Sequence, residues 1–394
     1  MQYLNHKWWI SLYLAAMFGG LGVQFIYLQI FLRDQGFSYE TIGLLLAVIP
    51  AVALVTSPLW GIATDSSRDP RKILLLLLIL APASHYLLIF HKGIVGCLVV
   101  CVCIAIFYQP IVPIQDSLIL RALHRYGGDY GRLRIWGSIG FTIPALILPV
   151  FWMKPELGRI DWTVPALVYG GYAIGSVLMW LRFPSVPPEK AHLFSIESFK
   201  LLKNRTFQIL LTCVFLARLG SSGLEGYQTM YFEELGVPIH KLALFLSLGP
   251  LSEVATIFYS QRWMVRVGAR KLMALCLGAL VVRMAVTAFS KSWPVLIGIQ
   301  SLHCLTFGTQ HVVTILVVNQ LAGDRIRSSA QTLLVVFTVY TSRLLGISLS
   351  GWIAQNWGIP RLFEIGAGIA ALSFLLWWLF YEDTENTTLK DGMR

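Results

Sequence analysis

YLAAMFGGLGVQFIYLQIFLRD (residues 13–34) and CVFLARLGSSGLEGYQTMYFEE (residues 213–234) carry the same landmarks 200 positions apart. Gly20 answers Gly220, Tyr27 answers Tyr227 and Asp34 answers Glu234. The register continues through Gly36/Gly236, Leu44/Leu244, Leu46/Leu246, Pro50/Pro250 and Thr56/Thr256. Arg71-Lys72 then recurs one residue out of step, as Arg270-Lys271. Both copies lie in apolar stretches of membrane-crossing length. A chain that repeats half of itself inside a bilayer builds two bundles that meet at a central pathway, which points to a transporter.

Composition identifies the solvent. Apolar residues make up 56% of the 394 and charged residues only 13%, against roughly 25% charged in a soluble domain. Lipid therefore solvates most of this chain. A crossing helix needs about 20 apolar residues, because the hydrocarbon core is ~30 Å thick. Twelve segments qualify: 8–32, 40–62, 72–91, 94–120, 133–153, 163–182, 207–232, 239–261, 270–290, 293–320, 328–353 and 360–381. The first is too long for a removable signal peptide and lacks a small-residue cleavage site, so it is read as a span. The net charge of +11 is topology rather than affinity for nucleic acid. With the N-terminus inside, cytoplasmic segments hold 21 of the 31 Lys and Arg residues and outside loops hold 7. That bias places both termini in the cytoplasm.

The expected fold class is an all-α polytopic membrane protein with two pseudo-symmetric six-helix bundles. Residues 1–182 form the N-terminal bundle and 183–206, with Pro184, Pro187 and Pro188, a cytoplasmic connector. Residues 207–394 form the C-terminal bundle and a short cytoplasmic tail. All six cysteines (Cys97, Cys101, Cys103, Cys213, Cys276 and Cys304) fall inside spans as small packing residues, without zinc or redox spacing.

Gly61, Asp65, Arg68, Arg71 and Lys72 run across the junction of the second and third spans, and Arg266-Val-Gly268-Ala-Arg270-Lys271 stands at the equivalent place in the second half, without the acid. Together with the six-plus-six arrangement, they resemble the loop signature of the major facilitator superfamily, in a form two residues longer than the common one. Tyr130-Gly-Arg-Leu-Arg-Ile-Trp-Gly-Ser138, after Pro113-Ile-Gln-Asp-Ser117, resembles the signature of its phenylpropionate-permease-like branch. Ile299-Gln-Ser-Leu-His-Cys-Leu-Thr-Phe-Gly308, with His311 beyond, is similar to the tenth helix of that branch. Arg283, twenty residues before His303, matches the Arg-to-His spacing of lactose-permease-type proton symporters, where the two residues belong to the proton-coupling cluster. The sequence departs from that pattern one turn to either side of His303, at Gln300 and Thr306, where that family carries charges. The resemblance covers the whole chain in architecture and is most specific over 113–138 and 250–311. It implies proton-coupled transport.

Ionisable side chains inside spans are the next signal, because each costs about 2.5–3.5 kcal/mol at a helix centre and must face the bundle interior. The second half holds Arg218, Glu225, Glu253, Arg283, His303, His311 and Arg343, whereas the first has mainly His85 and Asp116. The second half is thus expected to carry the ion chemistry. Glu253 is the candidate proton carrier: it follows Pro250, which removes a backbone hydrogen bond. Its rival reading is a permanent Glu253–Arg283 ion pair. Arg283 and His303 fall at comparable depth on consecutive antiparallel helices, and a histidine there equally suits an ordinary interhelical hydrogen bond. Arg218 and Glu225 share a face, about 20° out of alignment and roughly 10 Å apart in rise. They either flank a polar cavity, with Arg218 open to an anion, or pair separately with neighbouring helices. His311 lies about 80° around an α-helix from His303. Arg343 is a cavity cation or a partner for Glu225.

In the first half, Gln24, Tyr27 and Gln29 supply polar positions for substrate or for interhelical bonds. Asp116, near the cytoplasmic end of a proline-bent helix, is expected to act at a gate with Arg132 or Arg134. Asp65 with Arg121 forms a second candidate latch. The Gly19-Gly20/Gly22 and Gly137/Gly140 clusters permit close helix packing.

These features lead to a monomeric secondary transporter of the cytoplasmic (inner) membrane. A small organic solute (an aromatic or other organic acid, a sugar or a nucleoside) binds between the halves and moves with protons by alternating access. The proton gradient serves in place of any cofactor; no metal or nucleic acid is expected, and no nucleotide loop or catalytic arrangement points to an enzyme. The alternatives are a proton-driven exporter of a metabolite, siderophore or drug, and a non-transporting membrane sensor.

Overall fold

Backbone polar groups in hydrocarbon must be satisfied within the segment, which leaves the helix as the solution for long apolar runs. A computed structural model describes residues 2–90, 93–152, 162–184, 196–237 and 239–382, and no strand occurs among them. The long helices are α1 (Gln2–Asp34), α2 (Tyr39–Ser66), α3 (Pro70–Phe90), α4 (Ile94–Tyr126), α5 (Tyr130–Trp152) and α6 (Thr163–Trp180). After a 3₁₀ turn at Ile196–Lys203 come α7 (Arg205–Glu234), α8 (Ile239–Val267), α9 (Ala269–Phe289), α10 (Trp293–Gly323), α11 (Ser329–Trp357) and α12 (Ile359–Phe380). Nine helices among the described residues have the length and apolarity of a membrane crossing. Packing divides the chain into one unit of Met1–Ala191 with Phe232–Leu251, and another of His192–Tyr231 with Ser252–Arg394.

The 200-residue repeat survives as geometry inside each unit. In the first, the Trp180 indole donates to the carbonyl of Arg71 at 3.0 Å; in the second, the Trp377 indole donates to the carbonyl of Arg270 at 2.9 Å. α4 widens into a π-helical turn at Ile104–Tyr108 and α10 at Cys304–Thr309. The repeated threonines reach these turns: Thr56 Oγ1 lies 3.2 Å from the Ala105 carbonyl and Thr256 Oγ1 3.4 Å from that of Cys304. Thr256 also lies 3.1 Å from the carbonyl of Glu253. One hydroxyl thus ties the turn that carries Glu253 to the turn that follows His303.

Small residues set the closest crossings. In the first unit α1 packs against α5 and α6, and any Cβ at Gly140 would overlap the Ala15 carbonyl oxygen. In the second unit a Cβ at Gly366 would lie 2.6 Å from the carbonyl oxygen of Gly220. The first unit also collects the ends of α1, α2 and α7, where Arg33 approaches Glu233 at 3.4 Å and the Tyr39 hydroxyl bonds Glu234.

Candidate functional site

The second unit gathers three of the sequence-singled residues into one chain of contacts. Glu253 on α8 and Arg283 on α9 are buried, 8% and 6% exposed, which obliges each to find partners. His303 on α10 stands between them. Its Nε2 lies 2.8 Å from Glu253 Oε1, and its Nδ1 lies 3.0 Å from Arg283 Nη1. A guanidinium only donates, so Nδ1 must accept and the neutral ring carries its proton on Nε2, facing the Glu253 carboxylate. The direct Glu253–Arg283 pair weighed from the sequence is therefore replaced by a pair bridged through imidazole.

Arg283 is further fixed by Gln300 Oε1 at 2.7 Å and Thr306 Oγ1 at 3.0 Å. These are the two positions at which the sequence departs from the lactose-permease pattern. Neutral acceptors here do for the guanidinium what carboxylates would do, without adding charge. Both stand three residues either side of His303 in the sequence, a placement that marks them as neighbours of the cluster without assigning them to Arg283. With Nδ1 and both Nη nitrogens of Arg283 engaged, a proton added to Glu253 would leave the Arg283 contacts in place.

The remaining second-unit candidates form an adjoining layer. Arg343 Nε lies 2.8 Å from Glu225 Oε2, so Arg343 is the partner of Glu225. The Arg218 guanidinium lies over the Phe307 ring, 4.6 Å from its centroid. Among the described residues no carboxylate comes within ion-pair distance of Arg218. The expected 80° offset of His311 from His303 is not what the structure has. Through the π turn the rings of His303, Phe307 and His311 stack at 5.2 Å and 6.4 Å, tilted by 11° and 12°. The wider turn brings every fourth side chain into line, a local change that α-helical spacing does not foresee.

In the first unit Arg121 Nη2 meets Asp65 Oδ1 at 2.9 Å. Asp116 is bonded by Tyr130, with Arg134 in its electrostatic neighbourhood. Arg134 itself lies over the Phe18 ring at 3.8 Å. Arg132 does not reach Asp116: it is exposed and pairs with Asp129 at 3.7 Å, where the same aspartate accepts from the Arg132 backbone N–H. A cap at the start of α5 thus takes the arginine that the sequence offered to the gate. Gln24 is buried on α1 and faces a chamber between α1, α3 and α6. Gln29 is also buried. The Tyr27 side chain lies outside the described residues.

A family model described as the MFS_1 like family matches residues 7–365. The chain is 27% identical over 269 residues to a maltose permease of Geobacillus stearothermophilus, covering 67% of this chain and 66% of that permease. It is 25% identical over 315 residues to a probable 3-phenylpropionic acid transporter of Escherichia coli, covering 77% of this chain and 80% of that protein. Its fold is similar to a crystal structure of the nucleoside transporter NupG, with a TM-score of 0.81 at 16% identity over 96% of this chain and 100% of that one.

Proposed function

The chain belongs to the MFS_1 like family of membrane transporters, and from that membership we propose that it is a proton-coupled symporter working by alternating access. In this reading twelve spans cross the cytoplasmic membrane, both termini are cytoplasmic and the two halves are separate six-helix bundles. The observation that carries proton coupling is the buried Glu253–His303–Arg283 chain. With Glu253 ionised, the His303 Nε2–H lies 2.8 Å from a carboxylate oxygen, a charge-assisted contact; with Glu253 protonated, it faces a neutral carbonyl oxygen. Hydrogen bonds to charged groups are worth about 1.5–3 kcal/mol, against roughly 0.5–1.5 for neutral ones. Proton uptake therefore loosens the link between α8 and α10 by about 1 kcal/mol or more, enough to bias a two-state equilibrium about fivefold.

The solute is a small organic molecule of the range spanned by the relatives' names, an organic acid or a sugar among them. Arg218 favours an acid, because its half-buried guanidinium faces an aromatic ring rather than a carboxylate. In the first unit the Asp65–Arg121 pair and the Asp116–Tyr130–Arg134 group are the cytoplasmic latches of the cycle. The test is uptake of radiolabelled organic acids, sugars and nucleosides into proteoliposomes under an imposed inward proton gradient. Accumulation that a protonophore collapses supports symport. Accumulation indifferent to the gradient removes proton coupling, and gradient-driven loss of preloaded solute reverses the direction to export.

A further inference from the structure

We propose that the first unit holds a second small-molecule site, separate from the charged cluster of the second unit, that takes a neutral aromatic ligand bearing hydroxyl or amine donors. The site is the chamber between α1, α3 and α6, with an empty volume of about 520 Å³ that includes its open mouth. Rings from three elements form its walls. Tyr169 lies against His85 with centroids 4.6 Å apart, and Trp162 meets Phe31 edge-on at 5.0 Å and 85°. The walls are held in place from behind. The Trp162 indole donates to Asp34 Oδ2 at 2.7 Å, and the Tyr86 hydroxyl donates to the Ala166 carbonyl at 3.0 Å. Such fixed rings need little ordering when a flat guest enters.

Two polar atoms specify the guest. Gln24 and His85 both line this chamber, and Gln24 Oε1 and His85 Nε2 are buried with no hydrogen-bond partner among the described residues. His85 Nδ1 lies 3.0 Å from the carbonyl oxygen of Ala81, which can only accept, so Nδ1 carries the ring proton. Nε2 of the neutral ring is then an acceptor, as is the Gln24 oxygen. Leaving two acceptors unmatched in an apolar chamber costs about 1–3 kcal/mol each. A ligand that donates to them recovers that cost while its rings cover the aromatic walls. Among the described residues no lysine or arginine lines the chamber, so a carboxylate or phosphate would meet two acceptors there and no cation from those residues. The ligand class here is therefore a phenol or aromatic amine, in contrast to the anion that Arg218 would favour.

The test is calorimetric titration of the purified full-length protein in detergent with 2-naphthol and with 2-methoxynaphthalene, which keeps the rings and loses the donor; empty micelles are the control. The expected result is saturable binding of one 2-naphthol per chain, with the methoxy compound roughly tenfold weaker or worse, equivalent to about 1.4 kcal/mol. 2-Naphthol has one proton to donate, so whichever of Gln24→Leu and His85→Phe removes the acceptor it uses should weaken it about tenfold, and neither should change 2-methoxynaphthalene. Ala166→Leu, which fills the chamber without touching either acceptor, should abolish both. Equal affinity for the two probes, binding that survives Ala166→Leu, or no saturable binding at all overturns the proposal. The comparison of probes on the unaltered protein decides the matter even if a variant does not fold.

Discussion

Replacing His303 by glutamine and by leucine separates a bridging imidazole from a proton-carrying one. The ring spans Glu253 at 2.8 Å and Arg283 at 3.0 Å, a close contact to the carboxylate and a hydrogen bond from the guanidinium, each with a charged group and worth about 1.5–3 kcal/mol. Leucine removes both and leaves a buried carboxylate and a buried guanidinium N–H short of partners. The expected loss of stability is about 3 kcal/mol or more, roughly a hundredfold in the folding equilibrium. Glutamine carries the same pair of functions, an N–H for Glu253 and a C=O for Arg283, so His303→Gln should lose less than about 1 kcal/mol. If Glu253 takes the proton, His303→Gln also keeps substrate-driven proton uptake and its dependence on pH. Unfolding in detergent and dye-reported uptake in liposomes read the two quantities. A well-folded His303→Gln protein whose proton coupling is as dead as that of His303→Leu would refute the reasoning and put the proton on the imidazole.

Three further outcomes are expected. Arg218→Gln should weaken binding of an organic acid by about 10–100-fold and of its neutral amide by far less, since a bond to a charged group is worth about 1.5–3 kcal/mol; equal losses by calorimetry would remove the anion-binding role. Gly140→Val drives a side chain into the Ala15 carbonyl and should cost about 1–3 kcal/mol or more, lowering the melting temperature, whereas Gly171→Val, with open space around its Cβ position, should not. The hydrogen bond from Arg71 holds the carboxyl of Asp69, in the turn between α2 and α3, below its ordinary 3.8. A depressed carboxyl stabilises above its unfolded value and loses that contribution as pH falls through the folded one. The melting-temperature gap between the parent protein and Asp69→Asn should therefore be level from pH 7 to about pH 5 and close below about pH 4; a gap that widens on acidification would contradict the assignment.

Legibility followed the kind of interaction. The repeat was readable because membrane helices are set by local apolarity, and it reappears as matched contacts, Trp180 to Arg71 and Trp377 to Arg270. Glu253, Arg283 and His303 stood out because charge inside a span demands a partner. Which partner was not written locally. Imidazole stands between acid and arginine, Gln300 and Thr306 supply the neutral acceptors, and the π turn after His303 moves His311 into line with it. Arg132 was misdirected for a local reason, the Asp129 cap three residues before it. The chamber at Gln24 depends on three helices meeting, so no single stretch of sequence encodes it.

Proton coupling in this proposal rests on Glu253 as the carrier. Its most direct test is proteoliposomes loaded with a pH dye and challenged with pools of aromatic acids, sugars and nucleosides, using the parent protein and Glu253→Gln side by side. Solute-evoked internal acidification is expected with the parent protein. In Glu253→Gln that acidification should be lost, while exchange of labelled solute across the membrane persists. Acidification unchanged in Glu253→Gln, or solute uptake by the parent protein with no acidification, would contradict it.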